Sequence, residues 1–285
     1  MPGIIGTGLL GQALVNRMLA ASLDLVGWDI DPARMQQLAD KGARPAEGIE
    51  EIAAQPMILL CLPDSEIVRQ VTSQLHDLLQ PGSIIIDTTT GHPDDSRRVA
   101  SRLAGVQARY LDATVAGSSV QVEAGEGLFM IGGQRSAYDE SGPLLDLLAG
   151  RHEYLGPSGA GATAKLIVNL ALGLNRAVLA ETLALAEAAG MDQGKMLDVL
   201  SKSAAWSAQM DSKGEKMIAR DYQPEARLSQ HLKDVQLILE LGQQSACSLP
   251  LSEQHRKLLE LAVERGLADQ DNSAIREVWD QPPGP

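Results

Sequence analysis

The chain has few cysteines and few basic residues, and each shortage excludes a class of protein. Only Cys61 and Cys247 occur among 285 residues, so we expect no disulfide framework and a reducing compartment. The 24 Lys and Arg residues are outnumbered by 37 Asp and Glu, giving a net charge of −13. This balance argues against nucleic acid or an anionic membrane as the main partner.

Long apolar runs and metal-ligand clusters are missing as well. No apolar run reaches the roughly 18 residues that cross a bilayer, and no cationic leader precedes the first apolar segment. The five histidines are scattered without metal-ligand spacing. We therefore expect a cytoplasmic protein with no membrane span and no metal site.

A glycine-rich turn motif begins almost at the first residue. An apolar stub is followed by the pattern Gly-x-Gly-x-x-Gly and then by a helical pattern. In such a turn Gly6 permits the tight bend, Gly8 lets a pyrophosphate approach the backbone, and Gly11 lets the helix pack on the strand. The first amides of that helix would face the phosphates. The residues predicted to bind a dinucleotide here are Gly6, Thr7, Gly8, Leu9, Leu10 and Gly11.

Asp29 ends the next apolar segment and bears on the choice of cofactor. A carboxylate at this position would accept hydrogen bonds from the adenosine ribose and repel a 2′-phosphate, which favours NAD over NADP. Arg34 follows about one helical turn later and could clamp a phosphate. A second interpretation, compatible with the first, is that Asp29 and Asp31 cap a helix starting near Pro32.

The first half of the chain alternates short apolar runs with helical patterns. Beyond the two strands that flank the glycine turn, strands are predicted at 57–62, 83–87, 110–113 and 127–132, with helices such as 65–79 and 94–103. Unbroken apolar strands separated by helices indicate a parallel sheet covered on both faces. We predict an α/β fold with a Rossmann-like, doubly wound parallel sheet.

The pattern changes after a Gly-rich segment at 156–161. An Ala- and Leu-rich stretch without proline predicts one long inter-domain helix over 162–189, and strand signals disappear. Further helices are predicted at 193–203, 212–219, 229–245 and 250–265. We predict two domains, an NAD(P)-binding domain over 1–157 and an all-helical substrate and dimerisation domain over 158–285. The tail at 281–285 is predicted to be disordered.

Chemistry in such a sheet is expected beyond the carboxyl ends of the strands. Three segments that follow predicted strands are candidates: Leu-Pro-Asp at 62–64, three threonines at 88–90, and a segment with hydroxyls and a glycine at 114–119. Lys165 and Asn169 lie at i and i+4 near the start of the long helix, hence on one face. Alone, such a pair is more often solvated helix surface; beside a cofactor, the lysine could shuttle a proton and the amide could orient a hydroxyl.

Six motifs in order along nearly the whole chain carry a family resemblance. They are GTGLLG at 6–11, CLPD at 61–64, DTTTGHP at 87–93, DATVAG at 112–117, GAGATAKLIVN at 159–169 and LKD at 232–234. Together they resemble the β-hydroxyacid dehydrogenases, which include 3-hydroxyisobutyrate dehydrogenase and tartronate semialdehyde reductase and are related to 6-phosphogluconate dehydrogenase.

The resemblance implies roles for single residues. Lys165 corresponds to the general acid/base of the family and Asn169 to its substrate-orienting asparagine. Thr90 corresponds to a threonine near the nicotinamide, and Lys233 to a lysine of the second domain that reaches the cofactor. Two more residues correspond to positions along the path of the cofactor, Leu62 and Pro63. The segment that would hold the substrate carboxylate contains Gly117, Ser118, Ser119 and Gln121.

The same segment departs from the family pattern. Where the family commonly has Asp-Ala-Pro-Val-Ser-Gly-Gly, this chain has Thr114, Ala116 and Ser118 for the proline, the serine and the second glycine. Ala116 lacks the hydroxyl that would donate to a carboxylate. Ser118, Ser119 or Gln121 could compensate, or the substrate differs from the common ones, so the particular hydroxy acid stays open.

Two polar segments of the second half have simpler interpretations than a site. His231, close to Lys233, could help to bind an anion, but a solvated helix position accounts for it. The segment 269–273, DQDNS, resembles a C-terminal motif of the family, and a helix cap accounts for it.

The predicted function is hydride transfer between NAD or NADP, with NAD preferred, and the β-carbon of a small anionic 3-hydroxy acid or its semialdehyde. Lys165 is the expected general acid/base. One alternative is an imine reductase, which shares the architecture but generally lacks this lysine. The other is a catalytically silent NAD(P)-binding interaction protein. The long helical second half also suits a homodimer or homotetramer.

Overall fold

In the computed structural model, which describes residues 1–279, the chain forms two compact units that divide between Lys165 and Leu166. The tail predicted to be disordered, at 281–285, lies outside the described residues. Strands and helices alternate in the first unit. They are β1 Gly3–Ile5, α1 Leu9–Ala20, β2 Val26–Trp28, α2 Pro32–Asp40, β3 Arg44–Pro45, α3 Ile49–Ala53, β4 Met57–Leu60, α4 Ser65–Leu75, β5 Ile84–Asp87, α5 Pro93–Ala104, β6 Arg109–Ala116, α6 Ser119–Glu123, β7 Leu128–Gly133, α7 Arg135–Leu148 and β8 Arg151–Gly156.

The strands form one sheet in the order β3-β2-β1-β4-β5-β6-β7-β8. Neighbouring strands from β3 through β6 are parallel, which confirms the doubly wound arrangement. In addition, β7 runs antiparallel to β6, and β8 runs parallel to β7. The reversal follows from the connection between β6 and β7, residues 117–127, which is too short for the crossover of a dozen or more residues that parallel neighbours need.

Two apolar layers cover the sheet, one on each face. Side chains of consecutive strand residues point to opposite faces, so Ile4 and Ile5 of β1 enter different apolar clusters. In β5, Ile84, Ile85 and Ile86 are all fully buried. Burial on both faces explains why these strands occur in the sequence as unbroken apolar runs.

The second unit contains only helices among its described residues, as predicted. The helix α8, Ala160–Ala188, begins in the first unit and continues into the second. It is followed by α9 Gln193–Ser201, α10 Ala208–Ala219, α11 Leu228–Gln244, α12 Pro250–Glu264 and a 3-10 helix, Asn272–Trp279. Their apolar faces share one core, which includes Leu179, Leu183, Val235 and Leu259.

By length and hydropathy α8 is the one described helix that could cross a membrane, with a mean hydropathy of 1.4 in its most apolar window. A core helix of a globular domain passes the same test. The buried face of α8 carries Asn169 and Arg176, which hydrogen-bond to Asp234 of α11 and Gln209 of α10. Such contacts are those of a helix in a folded core.

The interpretation of His231 as a solvated position is wrong. The side chain is only 6% exposed, because it shares the buried face of α11 with Leu228, Asp234 and Val235. Its ring packs against that of His255 on α12, with 5.2 Å between centroids.

The expected cap in segment 269–273 is present, and it has a second role. Asp271 precedes the 3-10 helix and accepts a hydrogen bond from the Ser273 amide at 3.1 Å. It is also fully buried and pairs with Lys213 of α10 at 3.0 Å. The segment therefore joins the 3-10 helix Asn272–Trp279 to the helical core.

Candidate active site

The glycine turn between β1 and α1 is shaped by missing side chains. Gly6 has φ +87°, and a Cβ there would lie 2.3 Å from the carbonyl oxygen of Cys61. A Cβ on Gly11 would lie 2.1 Å from the carbonyl oxygen of Gly6. At Gly8 the nearest neighbour of a Cβ would be Nη1 of Arg34, at 3.8 Å. The backbone at Gly8 is therefore open to a ligand.

The first turn of α1 has the chemistry of a phosphate site. Its N-cap residue is Gly8, which contributes no side-chain hydrogen bond to the first amides, and Leu9 is 80% exposed. Amides at the start of a helix carry partial positive charge and lack partners within the helix, so they bind anions. The residues present thus fit the pyrophosphate of a dinucleotide.

Asp29 braces this turn from the end of β2. Its carboxylate accepts hydrogen bonds from the Thr7 amide at 2.7 Å, the Thr7 hydroxyl at 3.1 Å and the Asp31 amide at 3.0 Å. Burial raises the pKa of Asp29, but these bonds, together with Arg34 at 3.3 Å, outweigh burial and hold the pKa below its ordinary value. The capping interpretation is confirmed for Asp31 alone, which accepts from the Ala33 amide at 2.9 Å.

Hydroxyl groups join the loops that follow β4 and β5. The Thr89 hydroxyl accepts a hydrogen bond from the Leu62 amide at 3.2 Å, and the Thr88 hydroxyl donates to the carbonyl of the last residue of β4 at 2.8 Å. Pro63 is exposed and Thr90 is half-buried. The predicted cofactor residues of these two loops are thus held at one edge of the sheet, where ligands bind in such folds.

A buried carboxylate holds the loop after β5. Asp87, the last residue of β5, accepts hydrogen bonds from the Thr89 amide at 2.9 Å and from the Tyr110 hydroxyl. Burial raises the pKa of Asp87 to about 6; the two hydrogen-bond donors oppose the shift, and the charge of Asp112 on β6 adds to it. Near neutral pH the loop therefore rests on a carboxylate whose charge is unfavourable in its surroundings.

The predicted substrate segment after β6 is exposed, and its polar groups hydrogen-bond to one another. Ser118 and Gln121 form a capping box at the start of α6: the Gln121 amide donates to Ser118 Oγ at 3.2 Å, and the Ser118 amide donates to Gln121 Oε1 at 2.8 Å. Gly117 precedes this box with φ +139°, and Ser119 lies within it as the first residue of α6. Ala116 ends β6 without a hydroxyl, as its sequence indicates.

The start of α8 is fastened to the sheet by a carboxylate that sequence reasoning missed. Asp112 on β6 is 2% exposed and accepts hydrogen bonds from the Gly159 amide at 2.8 Å and the Ala162 amide at 2.9 Å. The hydroxyl of Thr114, one of the departures from the family pattern, donates to the carbonyl of Gly161 at 2.8 Å. These contacts fix the helix turn that immediately precedes Lys165.

Lys165 and Asn169 occupy successive turns of α8, as predicted. Lys165 is half-buried, and Asn169 is 8% exposed. The Asn169 amide nitrogen donates to Oδ2 of Asp234 on α11 at 2.9 Å, and Asp234 directly follows the half-buried Lys233. Asp234 is a second residue that the sequence analysis assigned no role, although it stands in the LKD motif; Asp112 likewise opens the DATVAG motif.

Both parts of the chain match family models. Residues 2–156 match a model described as the NAD binding domain of 6-phosphogluconate dehydrogenase. Residues 159–279 match a model described as NAD-binding of NADP-dependent 3-hydroxyisobutyrate dehydrogenase. Fold, glycine turn and models together define an NAD(P)-dependent oxidoreductase.

Full-length relatives agree with this class. A 2-(hydroxymethyl)glutarate dehydrogenase from Eubacterium barkeri is 29% identical, covering 99% of this chain and 95% of that protein. Glyoxylate/succinic semialdehyde reductase 1 from Arabidopsis thaliana is 28% identical, covering 96% of each. A 3-hydroxyisobutyrate dehydrogenase from Salmonella typhimurium, known from a crystal structure, is 28% identical in sequence. Its structure matches with a TM-score of 0.88, covering 97% of this chain and 98% of that one. The chain belongs to the β-hydroxyacid dehydrogenase family and is an NAD(P)-dependent enzyme acting on hydroxyl groups of hydroxy acids.

Proposed function

We propose that the protein transfers hydride between NAD and the β-carbon of a small 3-hydroxy acid or its semialdehyde, with Lys165 as general acid/base. The observation that carries this proposal is the pair on α8, in which Lys165 stands one turn before an asparagine held by a buried carboxylate. The names of the relatives, which include a hydroxymethyl acid, a semialdehyde reductase and a 3-hydroxyisobutyrate dehydrogenase, support the substrate class.

Asp234 gives the Asn169 amide a defined direction. Because a carboxylate only accepts hydrogen bonds, the Asn169 side chain must turn its NH2 group toward Asp234. Its carbonyl oxygen is then directed elsewhere as an acceptor, and we assign it to the substrate hydroxyl. Asp234 thereby acts as a positioning residue for Asn169.

Lys165 handles the proton. Bound NAD(P) supplies the hydride acceptor, or the donor in the reverse direction. In oxidation Nζ of a neutral Lys165 accepts the proton of the substrate hydroxyl, and in reduction the ammonium returns it to the carbonyl oxygen. Asp112, by accepting from the first amides of α8, holds the turn before Lys165 in place.

For the cofactor we propose the glycine turn from Gly6 to Gly11 and four further residues: Leu62, Pro63, Thr90 and Lys233. Asp29 favours NAD, because its charge opposes a 2′-phosphate. For the substrate carboxylate we propose Gly117, Ser118, Ser119 and Gln121. The capping box leaves the Ser118 hydroxyl hydrogen free to be donated while its oxygen accepts from Gln121.

Initial rates with NAD and with NADP across small 3-hydroxy acids, their semialdehydes and cyclic imines test the proposal. For Lys165→Ala we expect kcat to fall about 10²- to 10⁴-fold, with the Kd for NAD changed less than about twofold. Lys195→Ala is the matched control, because this lysine is exposed on α9. Full activity of Lys165→Ala, or turnover of imines but of no hydroxy acid, would contradict the proposal.

The same assay tests the role of Asp234. Asp234→Asn removes the obligatory acceptor, so the Asn169 amide can reverse. We expect kcat/KM for the hydroxy acid to fall about tenfold or more, which corresponds to roughly 1.4 kcal/mol or more. The Kd for NAD should not change. An unchanged kcat/KM would remove Asp234 from the mechanism.

We further propose a homodimer formed through the exposed face of α8. Ile167, Val178 and Leu185 are 59%, 60% and 69% exposed, and their spacing places them on one side of the helix. Light scattering with size-exclusion chromatography is expected to give a dimer for the natural chain and a shift toward monomer for Val178→Glu. A monomer for the natural chain would exclude this assembly.

A further inference from the structure

A cluster of basic side chains is buried in the helical unit, and its α8 residues follow Asn169 along the same helix. Asn169, Gly173 and Arg176 lie on one face of α8, spaced by four and three residues. Gly173 makes room for two imidazole rings, because a Cβ on it would lie 2.5 Å from Nε2 of His231 and 2.8 Å from Cε1 of His255. Arg176 follows one turn deeper along the helix.

The polar atoms of this cluster are incompletely satisfied. Arg176 Nε donates to Oε1 of Gln209 on α10 at 3.0 Å. Within residues 1–279, Arg176 Nη1 and His231 Nε2 have no hydrogen-bond partner, although both atoms are buried. Arg176 and His231 are each 6% exposed and His255 is 3% exposed, so bulk water does not reach these groups freely. Buried polar groups of native proteins nearly always have partners.

The cluster also carries an uncompensated positive charge. No carboxylate among the described residues forms an ion pair with Arg176; Asp271 acts on it only from a distance and is itself paired with Lys213 at 3.0 Å. Burial lowers the pKa of Arg176 to about 10, which leaves it charged at neutral pH. Burial and the charge of Arg176 lower the pKa of His255 to about 4 and that of His231 well below its ordinary value, so both rings are neutral.

We propose that Arg176, with His231 and His255, forms a binding site for one compact anion, a halide ion or a carboxylate group, inside the helical unit. The anion would accept hydrogen bonds from Arg176 Nη1 and, in the tautomer protonated at that atom, from His231 Nε2. It would supply the single negative charge that the side chains do not. The site is independent of the proposed reaction, since none of its residues is assigned to the substrate or the cofactor.

Anion-dependent thermal stability tests the proposal on the whole protein. Melting temperatures are measured at constant pH and ionic strength while the sodium salt of a bulky sulfonate buffer is replaced by chloride, formate or succinate. At an anion concentration 100 times its Kd, we expect a rise of about 5 °C for the natural chain. In Arg176→Met, which keeps the length of the side chain without its charge, the rise is expected to vanish.

Controls separate the site from general salt effects. Arg256→Met carries the same substitution in the same unit, but Arg256 is half-buried and already paired with Glu260, so this variant should keep the full anion response. In the bulky buffer alone, Arg176→Met is expected to be as stable as the natural chain or more so, because removing an unpaired buried charge costs little. Arg176→Lys retains the charge and should retain part of the response.

Each outcome decides the matter. A rise with chloride and formate supports a free small anion, and a rise with carboxylates alone supports a carboxylate ligand. Equal responses in the natural chain and Arg176→Met would overturn the proposal and leave a buried water as the partner of Arg176. If Arg176→Met does not fold, crystals of the natural chain are soaked in bromide, and we expect an anomalous peak at Arg176. Absence of that peak refutes the halide site. If formate also leaves the melting temperature unchanged, the whole proposal is refuted.

Discussion

The two units of this protein both bury titratable side chains, but they satisfy them differently. In the first unit the buried groups include three carboxylates: Asp29 directly follows β2, Asp87 ends β5 and Asp112 lies within β6. Each accepts at least one backbone amide: from Thr7 for Asp29, from Thr89 for Asp87, and from the start of α8 for Asp112. Amide groups meet there because strands end and helices begin at one edge of the sheet.

In the second unit the cluster of Arg176, His231 and His255 lies between helix faces. Amides in the middle of a helix are used within that helix, so they cannot satisfy a neighbour's side chain. Buried polar groups there depend on other side chains or on a ligand. The exception is instructive: Asp271 lies in a loop, and it does collect backbone amides, from Glu225 and Ser273.

The largest effect on stability is expected at Asp271, where the helical unit, like the first unit, satisfies a buried carboxylate with backbone amides. Asp271→Ala removes the acceptor of the Lys213 ammonium and of the Glu225, Ala226 and Ser273 amides, so we expect a loss of about 4 kcal/mol in unfolding free energy, measured by urea denaturation. Burial raises the pKa of Asp271, but its donors outweigh burial and hold the pKa at about 2. Its contribution is therefore present above pH 4 and lost as the pH falls through 2.

A control for Asp271 lies two residues earlier. Asp269 has a side chain that is 86% exposed and sits 3.7 Å from Arg227. Asp269→Ala should change the unfolding free energy by less than about 0.5 kcal/mol. Similar losses for the two substitutions would mean that the amide contacts contribute nothing.

Two glycines of α8 allow the same substitution to be compared in the two units, Gly161 against the sheet backbone and Gly173 against side chains of the helical unit. A Cβ on Gly161 would lie 2.3 Å from the carbonyl oxygen of Asp112 and 2.4 Å from that of Met130, and backbone cannot move away cheaply. We expect Gly161→Ala to lower the unfolding free energy by about 3 kcal/mol. Gly173→Ala meets imidazole rings instead and gains helix propensity, so about 1 kcal/mol is expected. A larger loss at Gly173 would show that the histidine cluster is the more rigid of the two.

The buried acid of the first unit predicts a particular pH dependence. The folded pKa of Asp87, about 6, exceeds its ordinary value of 3.8 because of burial, so the folded state binds the proton more tightly. The contribution of Asp87 is fully present below pH 3.8 and is lost as the pH rises through 6. Between pH 4 and pH 7, Asp87→Asn should gain about 3 kcal/mol relative to the natural chain in paired urea titrations. A pH-independent difference would contradict the shifted pKa.

The buried base of the second unit predicts the opposite sign. Burial lowers the pKa of His255 from 6.5 to about 4, so its contribution is present above pH 6.5 and is lost as the pH falls through 4. As the pH falls from 7 to 4, the unfolding free energy of His255→Gln should rise by about 2 kcal/mol relative to that of the natural chain. This is less than for Asp87, because a protonated His255 ring can turn toward solvent, whereas Asp87 is held in the sheet. The same slope in the variant and the natural chain would show that the ring titrates normally.

Local patterns were predictable where burial is uniform. The glycine turn, the apolar runs of β4 and β5, and the long pattern of α8 were all recognised within a few residues of their bounds. The short edge strand β3 and the edge strand β8 were not. In β8, Arg151–Gly156, exposed and half-buried residues alternate and charged side chains interrupt the apolar pattern. The helix α7 was not predicted either, because Pro143 lies inside it.

The candidate site divides in the same way. Lys165 and Asn169 could be named from their spacing and motif, because their relation is local to one helix. Asp112 and Asp234 could not be given a role, since their partners lie 47 and 65 residues away in sequence. His231 was misjudged because the pattern of polar residues on α11 does not show that a second histidine, from α12, packs on the same face.

By itself, then, the sequence determined the class of fold, the dinucleotide turn, the family and the lysine and asparagine of α8. All of these follow from residues close together in the chain or from motifs in fixed order. Tertiary structure alone decided the reversal of β7, the carboxylates that anchor α8 and Asn169, and the burial of Arg176 close to His231 and His255. Each of these depends on which distant side chains and amides share a solvent-free space, and burial sets their protonation and their need for a partner.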